Sequence, residues 1–286
     1  MSSSFAARIV AWQKKDGRHD LPWQGTSDPY AIWLSEVMLQ QTQVATVIPY
    51  YNRFIARFPD VASLAQAPLD EVLRLWSGLG YYSRARNLHE AAQRIVLRLG
   101  GRFPRRFEAV AALPGVGRST AAAICVFAYG ARHAILDGNV RRLLARHRGI
   151  KGYPGDKQVA DQLWAQAGRL LPWRDVQAYT QGLMDHGAMV CVRRPRCEAC
   201  PVREDCVALE RGWVAQVPGP RPRKARPHKR TIMLVLTRAG EVLLEKRPAT
   251  GVWAGMWCLP EATRQTDLEA VCLKRFGVHV TEVEEL

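Results

Sequence analysis

The sequence predicts a mainly α-helical protein that carries a short α/β module at its C-terminal end. From residue 5 to about residue 211 apolar residues recur at helical spacing between Pro and Gly breaks, and no run alternates as a half-buried strand would. After residue 230 the pattern changes, because TIMLVLT and EVLLEKR are short β-prone runs. A chain of 286 residues has room for two such domains.

The helices follow from apolar periodicity in chain order. We predict the first over the N-terminal segment, where Phe5, Ile9, Val10 and Trp12 share one face; the alternative is a Ser-rich, acid-free transit peptide. The remaining predicted helices span residues 29–40, 44–57, 70–76, 84–99, 119–129, 140–148, 157–171 and 176–189.

A basic, Pro-rich linker is predicted over residues 213–230. Its second half reads PGPRPRKARPHKR, and four prolines among clustered Lys and Arg exclude a regular helix or a central strand. The linker either contacts phosphate or is only a solvated spacer. Beyond it we predict two strands joined by a turn at residues 238–240, a helix near 268–276 and a strand at 278–283.

The charge balance indicates a polyanionic partner. The formal net charge is +15 and the sequence pI is about 9.9. Nucleic acid fits this charge better than a membrane surface, and no apolar run reaches membrane-spanning length. The alternative is a basic protein without such a partner.

Four cysteines indicate a metal site. Cys191, Cys197, Cys200 and Cys206 lie in CVRRPRCEACPVREDC, a spacing typical of iron–sulfur proteins. A disulfide framework is disfavoured, because seven cysteines is an odd count and the chain is long enough to bury a core without staples. The Cys-x2-Cys core alone suits zinc as well as a cluster.

A second motif, LPGVGRST at residues 113–120, has the signature of a helix-hairpin-helix. Gly115 and Gly117 permit a tight turn, and the helix N-terminus after it can hold a phosphate. A plain turn between helices would use similar residues. Some twenty residues later, ILDGNVRRLLAR places Asp137 at the start of a basic helix.

Taken together, the motifs resemble a known family. They are LPWQ at 21–24, SEVMLQQTQV at 35–44, GLGYYSRARNL at 78–88, LPGVGRST, LDGNV, the cysteine set and GVWAGMWCLPE at 251–261. Their order and number resemble the helix-hairpin-helix DNA glycosylases, and within them the adenine glycosylases of the MutY type, over nearly the whole chain.

The resemblance implies a fold and a function. The fold is a bilobal helical core, with residues 1–28 and 134–212 forming the lobe that carries a [4Fe-4S] cluster and residues 29–133 forming a six-helix barrel with the hairpin. Residues 231–286 would be a partial Nudix-like module. The function is removal of adenine mispaired with 8-oxoguanine or guanine in double-stranded DNA, by a monomeric, cytoplasmic, nucleoid-associated enzyme.

Two acids suit this chemistry. Adenine leaves as an anion only with difficulty, so a ring nitrogen must be protonated while positive charge grows on the sugar. Glu36 lies among apolar neighbours that favour its protonated form, which suits a general acid. Asp137 would stay ionised and stabilise the cationic sugar. The alternatives are a surface glutamate on an amphipathic helix and a helix-capping aspartate.

Position 119 bears on the type of reaction. In the related endonuclease III family a lysine follows the hairpin and forms a Schiff base with the sugar. This chain has Ser119 there, and a hydroxyl cannot form an imine. We therefore expect a monofunctional glycosylase. The alternatives are a bifunctional glycosylase/lyase and a mismatch-binding protein without turnover.

The resemblance also implies binding residues, since the adenine must leave the base stack. Gln41 and Tyr81 would enter the duplex, although each also fits a structural role. The other implied DNA contacts are Gly115, Gly117, Ser119 and Asn139, and the positions that match the adenine pocket are Leu21, Trp23, Gln24 and Gln181.

The chain departs from the family pattern twice. Five residues separate Cys191 from Cys197, where the family usually has six. The sequence also ends at Leu286, part-way through the Nudix-like module. We expect discrimination between 8-oxoguanine and guanine either to be weaker or to rest on the helical part and Tyr81.

Overall fold

The computed structural model describes residues 4–222, 228, 230–248, 251–262 and 268–284. These residues form two compact units, Met1–Pro222 and Arg223–Leu286, here called the helical unit and the C-terminal unit. Among the described helices, none combines the length and the apolar character that crossing a bilayer requires.

Twelve α-helices are described in the helical unit. They are α1 Phe5–Asp16, α2 Pro29–Met38, α3 Val44–Arg57, α4 Val61–Gln66, α5 Leu69–Trp76, α6 Ser83–Leu99, α7 Phe107–Ala111, α8 Arg118–Tyr129, α9 Gly138–Arg148, α10 Lys157–Leu170, α11 Val176–Met189 and α12 Val207–Glu210. A 3-10 turn covers Cys197–Ala199.

The predicted mainly helical fold is confirmed. Every predicted helix is present, and those over residues 44–57 and 176–189 have the predicted bounds. Helix α2 ends at Met38, two residues before its predicted end. The short helices α4, α7 and α12 were not predicted, since four to six residues carry too little periodicity.

Two hydrophobic cores lie in the helical unit. The first is built mainly from α2 to α6 and includes the fully buried Trp33, Phe54 and Trp76. The second is built mainly from α1, α9, α10 and α11, with Ile9 and Leu144 fully buried. Helix α8 belongs to both cores, because its faces are buried on opposite sides.

The start of the predicted linker differs from expectation. Val217 is buried in the second core, and Arg146 donates from Nε to the carbonyls of Val214 and Val217 at 3.1 and 2.9 Å. Residues 213–217 therefore pack as part of the helical unit. Residues 223–227 and 229 of the predicted linker, which include Arg223, Lys224, Arg226 and Lys229, lie outside the described residues.

The C-terminal unit has three antiparallel strand pairs and one helix. Its strands are β1 Ile232–Met233, β2 Thr237–Arg238, β3 Glu241–Val242, β4 Glu245–Lys246, β5 Trp257–Cys258 and β6 Glu261–Ala262, paired β1 with β6, β2 with β3, and β4 with β5. The turn predicted at residues 238–240 joins β2 to β3, and α13 covers Leu268–Phe276. The strand predicted at 278–283 is wrong, since no strand is assigned in the described residues 278–284.

Gly149 provides a test of how the cysteine segment packs on α9. It follows α9 with φ of 65°, and a Cβ there would lie 2.5 Å from Cγ1 of Val207 in α12. Gly130 ends α8 with φ of 64°, and a Cβ there would have no neighbour within 4 Å. We expect Gly130→Ala to lower the free energy of unfolding by about 1–2 kcal/mol, from left-handed strain alone. Gly149→Ala should lower it by about 2–4 kcal/mol, because the Val207 clash adds to that strain.

Urea denaturation of both variants measures the difference. Equal losses of stability would contradict the close approach of α12 to the end of α9.

Candidate active site and cysteine cavity

One broad cleft of the helical unit collects most of the predicted site residues. Residues of the segment before α2 and of α2, α8, α9 and α11 line this cleft. The predicted residues along it are Leu21, Trp23, Gln24, Glu36, Gln41, Gly117, Ser119, Asp137, Asn139 and Gln181. Tyr81 and Gly115 are not among its lining residues.

Glu36 reaches the cleft from the most apolar helix of the site. In α2, which Asp28 caps through Tyr30 N–H at 3.0 Å, eight of ten residues are buried. Glu36 is half-buried and lines the cleft. Burial raises the pKa of Glu36 from 4.5 to about 8, and the nearby negative charge of Asp137 adds to this increase.

Asp137 is held at the N-terminus of α9. Its side chain accepts a hydrogen bond from Val140 N–H at 2.7 Å, so it is a helix cap as well as a cleft residue. Burial raises the pKa of Asp137, while the N–H groups of Val140 and Asn139 and the charges of Arg142 and Arg141 oppose that increase.

The two acids therefore have different surroundings within one cleft. Asp137 has N–H donors and cations that stabilise its charged form, whereas the pKa of Glu36 is raised both by burial and by the charge of Asp137. Two interacting acids release their protons in sequence. This environment favours a proton on Glu36 near neutral pH, and the N–H groups and arginines around Asp137 oppose the effect of burial on its charged form.

Ser119 supports the segment that precedes Asp137. Its Oγ accepts a hydrogen bond from Leu136 N–H at 2.9 Å, which ties the first turn of α8 to the entry of α9. The hydroxyl therefore fixes backbone beside the acid, a role that a small polar side chain suits.

Hydrogen bonds, an ion pair and ring packing fix the pocket residues. Gln24 Oε1 accepts from Leu21 N–H at 3.0 Å, which closes the LPWQ turn. Gln181 donates to Asp185 at 2.9 Å, and the fully buried Asp185 pairs with Arg18. Trp23 packs edge-on against Tyr51, with ring centroids 5.3 Å apart.

Gln41 and Tyr81 are both held in the left-handed region of backbone conformation. Their φ values are 60° and 50°, which is unusual for residues with a side chain. Gln41 is exposed, and Tyr81 is 58% exposed despite its size. These two side chains project from loops rather than pack into a core.

Gly115 and Gly117 of the hairpin differ in whether the structure leaves room for a larger side chain. Gly115 has φ of 74°, and a Cβ there would lie 2.8 Å from Cβ of Asn87. Gly117 is the N-terminal cap of the twelve-residue α8, with open space around it. Gly115 is thus required by the fold, while Gly117 leaves the helix N-terminus accessible.

A separate cavity holds the four cysteines. Cys191, Cys197, Cys200 and Cys206 all line it, together with Leu143, Val190, Val202 and other residues. None of the four forms a disulfide. The loop between Cys191 and Cys197 closes through Arg196 N–H, which donates to Val190 O at 3.0 Å. The five-residue loop therefore still brings all four thiols to one cavity.

The thiol chemistry fits a metal-bound state. Burial raises the pKa of the Cys200 thiol to about 12, so its thiolate is unfavourable until a metal compensates the charge. Among the described residues, no three His, Cys, Asp or Glu side chains converge closely enough to hold a single ion. The fit to a cluster rests on the shared cavity and the donor set.

Sequence reasoning missed several charged and polar groups. Asp185 is a carboxylate within the apolar run GLMDHGAMV, a signal that could have revealed it. His186 Nε2 lies 3.3 Å from Cys200 Sγ, and burial lowers the pKa of this histidine to about 4. Arg84, in the motif GLGYYSRARNL, is buried and donates hydrogen bonds to backbone carbonyls.

Comparisons with known proteins agree with this architecture. The family model for the HhH-GPD superfamily of base excision DNA repair proteins matches residues 34–168, and a NUDIX domain model matches residues 231–286. The adenine DNA glycosylase of Buchnera aphidicola subsp. Acyrthosiphon pisum is 37% identical over 99% of this chain and 81% of its own length. The human adenine DNA glycosylase is 36% identical over 91% of this chain and 58% of its own length.

Solved structures share the helical fold. A thermostable thymine-DNA glycosylase has a TM-score of 0.66 and 32% identity, covering 72% of this chain and 95% of its own. Endonuclease III in a non-covalent DNA complex has a TM-score of 0.62 at 20% identity, covering 72% of this chain and 94% of its own. The latter likeness is one of fold alone.

Proposed function

Since the chain belongs to the adenine DNA glycosylases of the helix-hairpin-helix superfamily, we propose that it removes adenine opposite 8-oxoguanine or guanine and leaves the DNA strand intact. The observation that supports this most directly is the pair of acids in one cleft, where burial raises the pKa of Glu36 to about 8 and Asp137 accepts a hydrogen bond from Val140 N–H.

In the proposed mechanism Glu36 is the general acid. It donates its proton to a ring nitrogen of the extruded adenine, so that the base departs neutral rather than as an anion. A pKa of about 8 keeps most of this side chain protonated at neutral pH.

Asp137, the second acid of the proposed pair, stabilises the sugar. Its carboxylate offsets the positive charge that grows at the anomeric carbon as the bond to adenine breaks, after which water completes the hydrolysis. The hydrogen bond from Val140 N–H holds the carboxylate at the end of α9. Ser119, bonded to Leu136 N–H, fixes the peptide beside it.

A monofunctional reaction fits position 119. Strand cleavage through a Schiff base requires an amine, and the corresponding side chain here is a hydroxyl that already accepts a backbone hydrogen bond. We therefore expect an abasic site with both phosphodiester bonds intact.

Double-stranded DNA is the proposed partner. Gln41 and Tyr81 project from loops and would occupy the gap left by the flipped nucleotide. The accessible N-terminus of α8 at Gly117, with the turn at Gly115, suits a phosphate, and Asn139 lies beside Asp137 on the cleft. Leu21, Trp23, Gln24 and Gln181 would surround the adenine. We propose a monomeric enzyme that acts at the nucleoid in the cytoplasm, with residues 1–28 and 134–212 as one lobe and residues 29–133 as the other.

We further propose that the cysteine cavity holds a [4Fe-4S] cluster through Cys191, Cys197, Cys200 and Cys206. The cluster, when bound, supplies cross-links that join α11, the following loop and the start of α12. Arg146, only 4% exposed, donates to Val192 O and Arg193 O and thereby shapes the loop.

The central test is an excision assay under single-turnover conditions. Duplexes with adenine opposite 8-oxoguanine, guanine or thymine are incubated with the protein, and products are analysed with and without hot alkali. We expect strand breaks at the adenine only after alkali, and only opposite 8-oxoguanine or guanine. Breaks without alkali would instead identify a glycosylase with lyase activity, and no breaks after alkali would identify a protein without turnover.

The general-acid role predicts a pH dependence. Since the pKa of Glu36 is raised to about 8, the protonated form is present below that pH and is lost above it, so the excision rate should fall as pH rises through about 8. Glu36→Gln should lower the rate by about 10²- to 10⁴-fold while duplex binding persists.

The matched control is Glu90→Gln, which alters an exposed surface pair with Arg94 and should leave the rate and its pH profile unchanged. A Glu36→Gln protein with the wild-type rate would exclude the proposed acid.

The cofactor proposal is tested on the purified protein. We expect a brown protein with visible iron–sulfur absorbance, and Cys200→Ser should reduce both its iron content and its thermal stability, because the cysteine segment loses a cross-link. Cys125→Ser, at a buried cysteine outside the cavity, should retain the iron. A colourless preparation that contains zinc would contradict the cluster.

A further inference from the structure

Arg84 lies at the start of α6 and is only 7% exposed. Its Nη1 donates three hydrogen bonds, all to carbonyls around the end of α2: Val37 O at 3.1 Å, Met38 O at 2.6 Å and Gln40 O at 2.7 Å. The last carbonyls of a helix lack partners within the helix. The guanidinium therefore caps α2 and extends beyond it into the loop that carries Gln41.

The second terminal nitrogen bonds a different loop at the same time. Nη2 donates to Leu79 O and Gly80 O, both at 3.2 Å, and to Thr42 Oγ1 at 3.0 Å. Gly80 O also accepts from Trp76 Nε1 at 3.1 Å. One planar side chain thus joins the loop of residues 39–43 to the loop of residues 78–82.

The two loops share a conformational feature at the points where Arg84 holds them. Gln40 O belongs to the peptide that precedes Gln41, and Gly80 O belongs to the peptide that precedes Tyr81. Gln41 and Tyr81 have φ of 60° and 50°. Such left-handed conformations are unfavourable for residues with a Cβ and persist only where the surroundings enforce them.

We propose that Arg84 is a positioning residue that holds Gln41 and Tyr81 together as one rigid wedge for insertion into the duplex. This inference rests on the proposed function, in which these two side chains fill the gap left by the flipped adenine. Arg84 is not among the residues that line the cleft; it fixes the backbone from which both wedge side chains project.

A single guanidinium is suited to this task and an ammonium is not. The planar fork directs its donors in fixed directions, so that each terminal nitrogen holds one or both loops. A lysine at position 84 would keep the charge but lack the fork. Arg84→Lys therefore removes the geometry of the guanidinium while keeping its charge, and Arg84→Met removes both.

The experiment compares two substrates in single-turnover excision. One is a duplex with adenine opposite 8-oxoguanine, which requires insertion of the wedge. The other has the same adenine strand but lacks the three opposing nucleotides around the adenine, so that no partner base has to be displaced. We expect Arg84→Lys to slow excision from the full duplex by about 10- to 100-fold, and to slow excision from the gapped duplex by less than about threefold.

A second readout follows the base directly. With 2-aminopurine in place of the adenine, wild-type binding should increase fluorescence as the base unstacks, and Arg84→Lys should abolish that increase. The effects of Arg84→Lys and Gln41→Ala on the full duplex should also be non-additive, since both act through the same wedge. Arg94→Lys, in the same helix but exposed and paired with Glu90, is the matched control and should behave as wild type.

The outcomes separate the two proposals. Equal losses on both substrates, or an Arg84→Lys protein that matches wild type on the full duplex, would overturn the wedge role of Arg84. Thermal unfolding identifies any variant that fails to fold, and if Arg84→Met does so, Arg84→Lys carries the comparison. A wild-type protein that excises adenine from neither substrate would instead overturn the proposed function.

Discussion

The burial of α8 on both sides is the constraint on which the site depends. Ala121, Ile124 and Cys125 face the core built around α2, while Ala122, Ala123 and Val126 face the core built around α9 and α11. Small residues allow neighbouring helices to approach closely from both directions. The position of Glu36 on one core relative to Asp137 on the other is thus set by one helix, and Ser119 in its first turn bonds the segment that leads to Asp137.

The helical pattern was readable from the sequence because long amphipathic helices repeat their apolar positions several times. Helices α3 and α11 have their predicted bounds, and both catalytic candidates were placed correctly on a helix or at its start. The burial and hydrogen-bond partners of two arginines could not be predicted from the sequence. Arg84 and Arg146 resemble solvated charges in the sequence, but their partners are carbonyls at distant helix ends and loops, which only the assembled fold brings near.

The C-terminal unit was less predictable for a related reason. Its described strands are two residues long, and several of their side chains are exposed. Such strands are too short to show an alternation of apolar and polar residues in the sequence. The turn between β2 and β3 was recovered because Gly240, with φ of 81°, is a local signal that needs no partner. Pairs such as β1 with β6, thirty residues apart, depend on contacts that the sequence alone does not reveal.

Helix α9 connects the acid site to the cysteine cavity. Asp137 caps its N-terminus, and one turn later Arg142 bonds both Asn139 Oδ1 at 2.9 Å and Cys191 O at 2.7 Å. Arg146, a further turn along, donates to the cysteine loop. A cluster that cross-links the cysteine loop would therefore also stabilise α9, because Arg142 and Arg146 lie in α9 and donate hydrogen bonds to the loop. Two arginine side chains of α9 thus connect the cysteine segment to the helix that Asp137 caps.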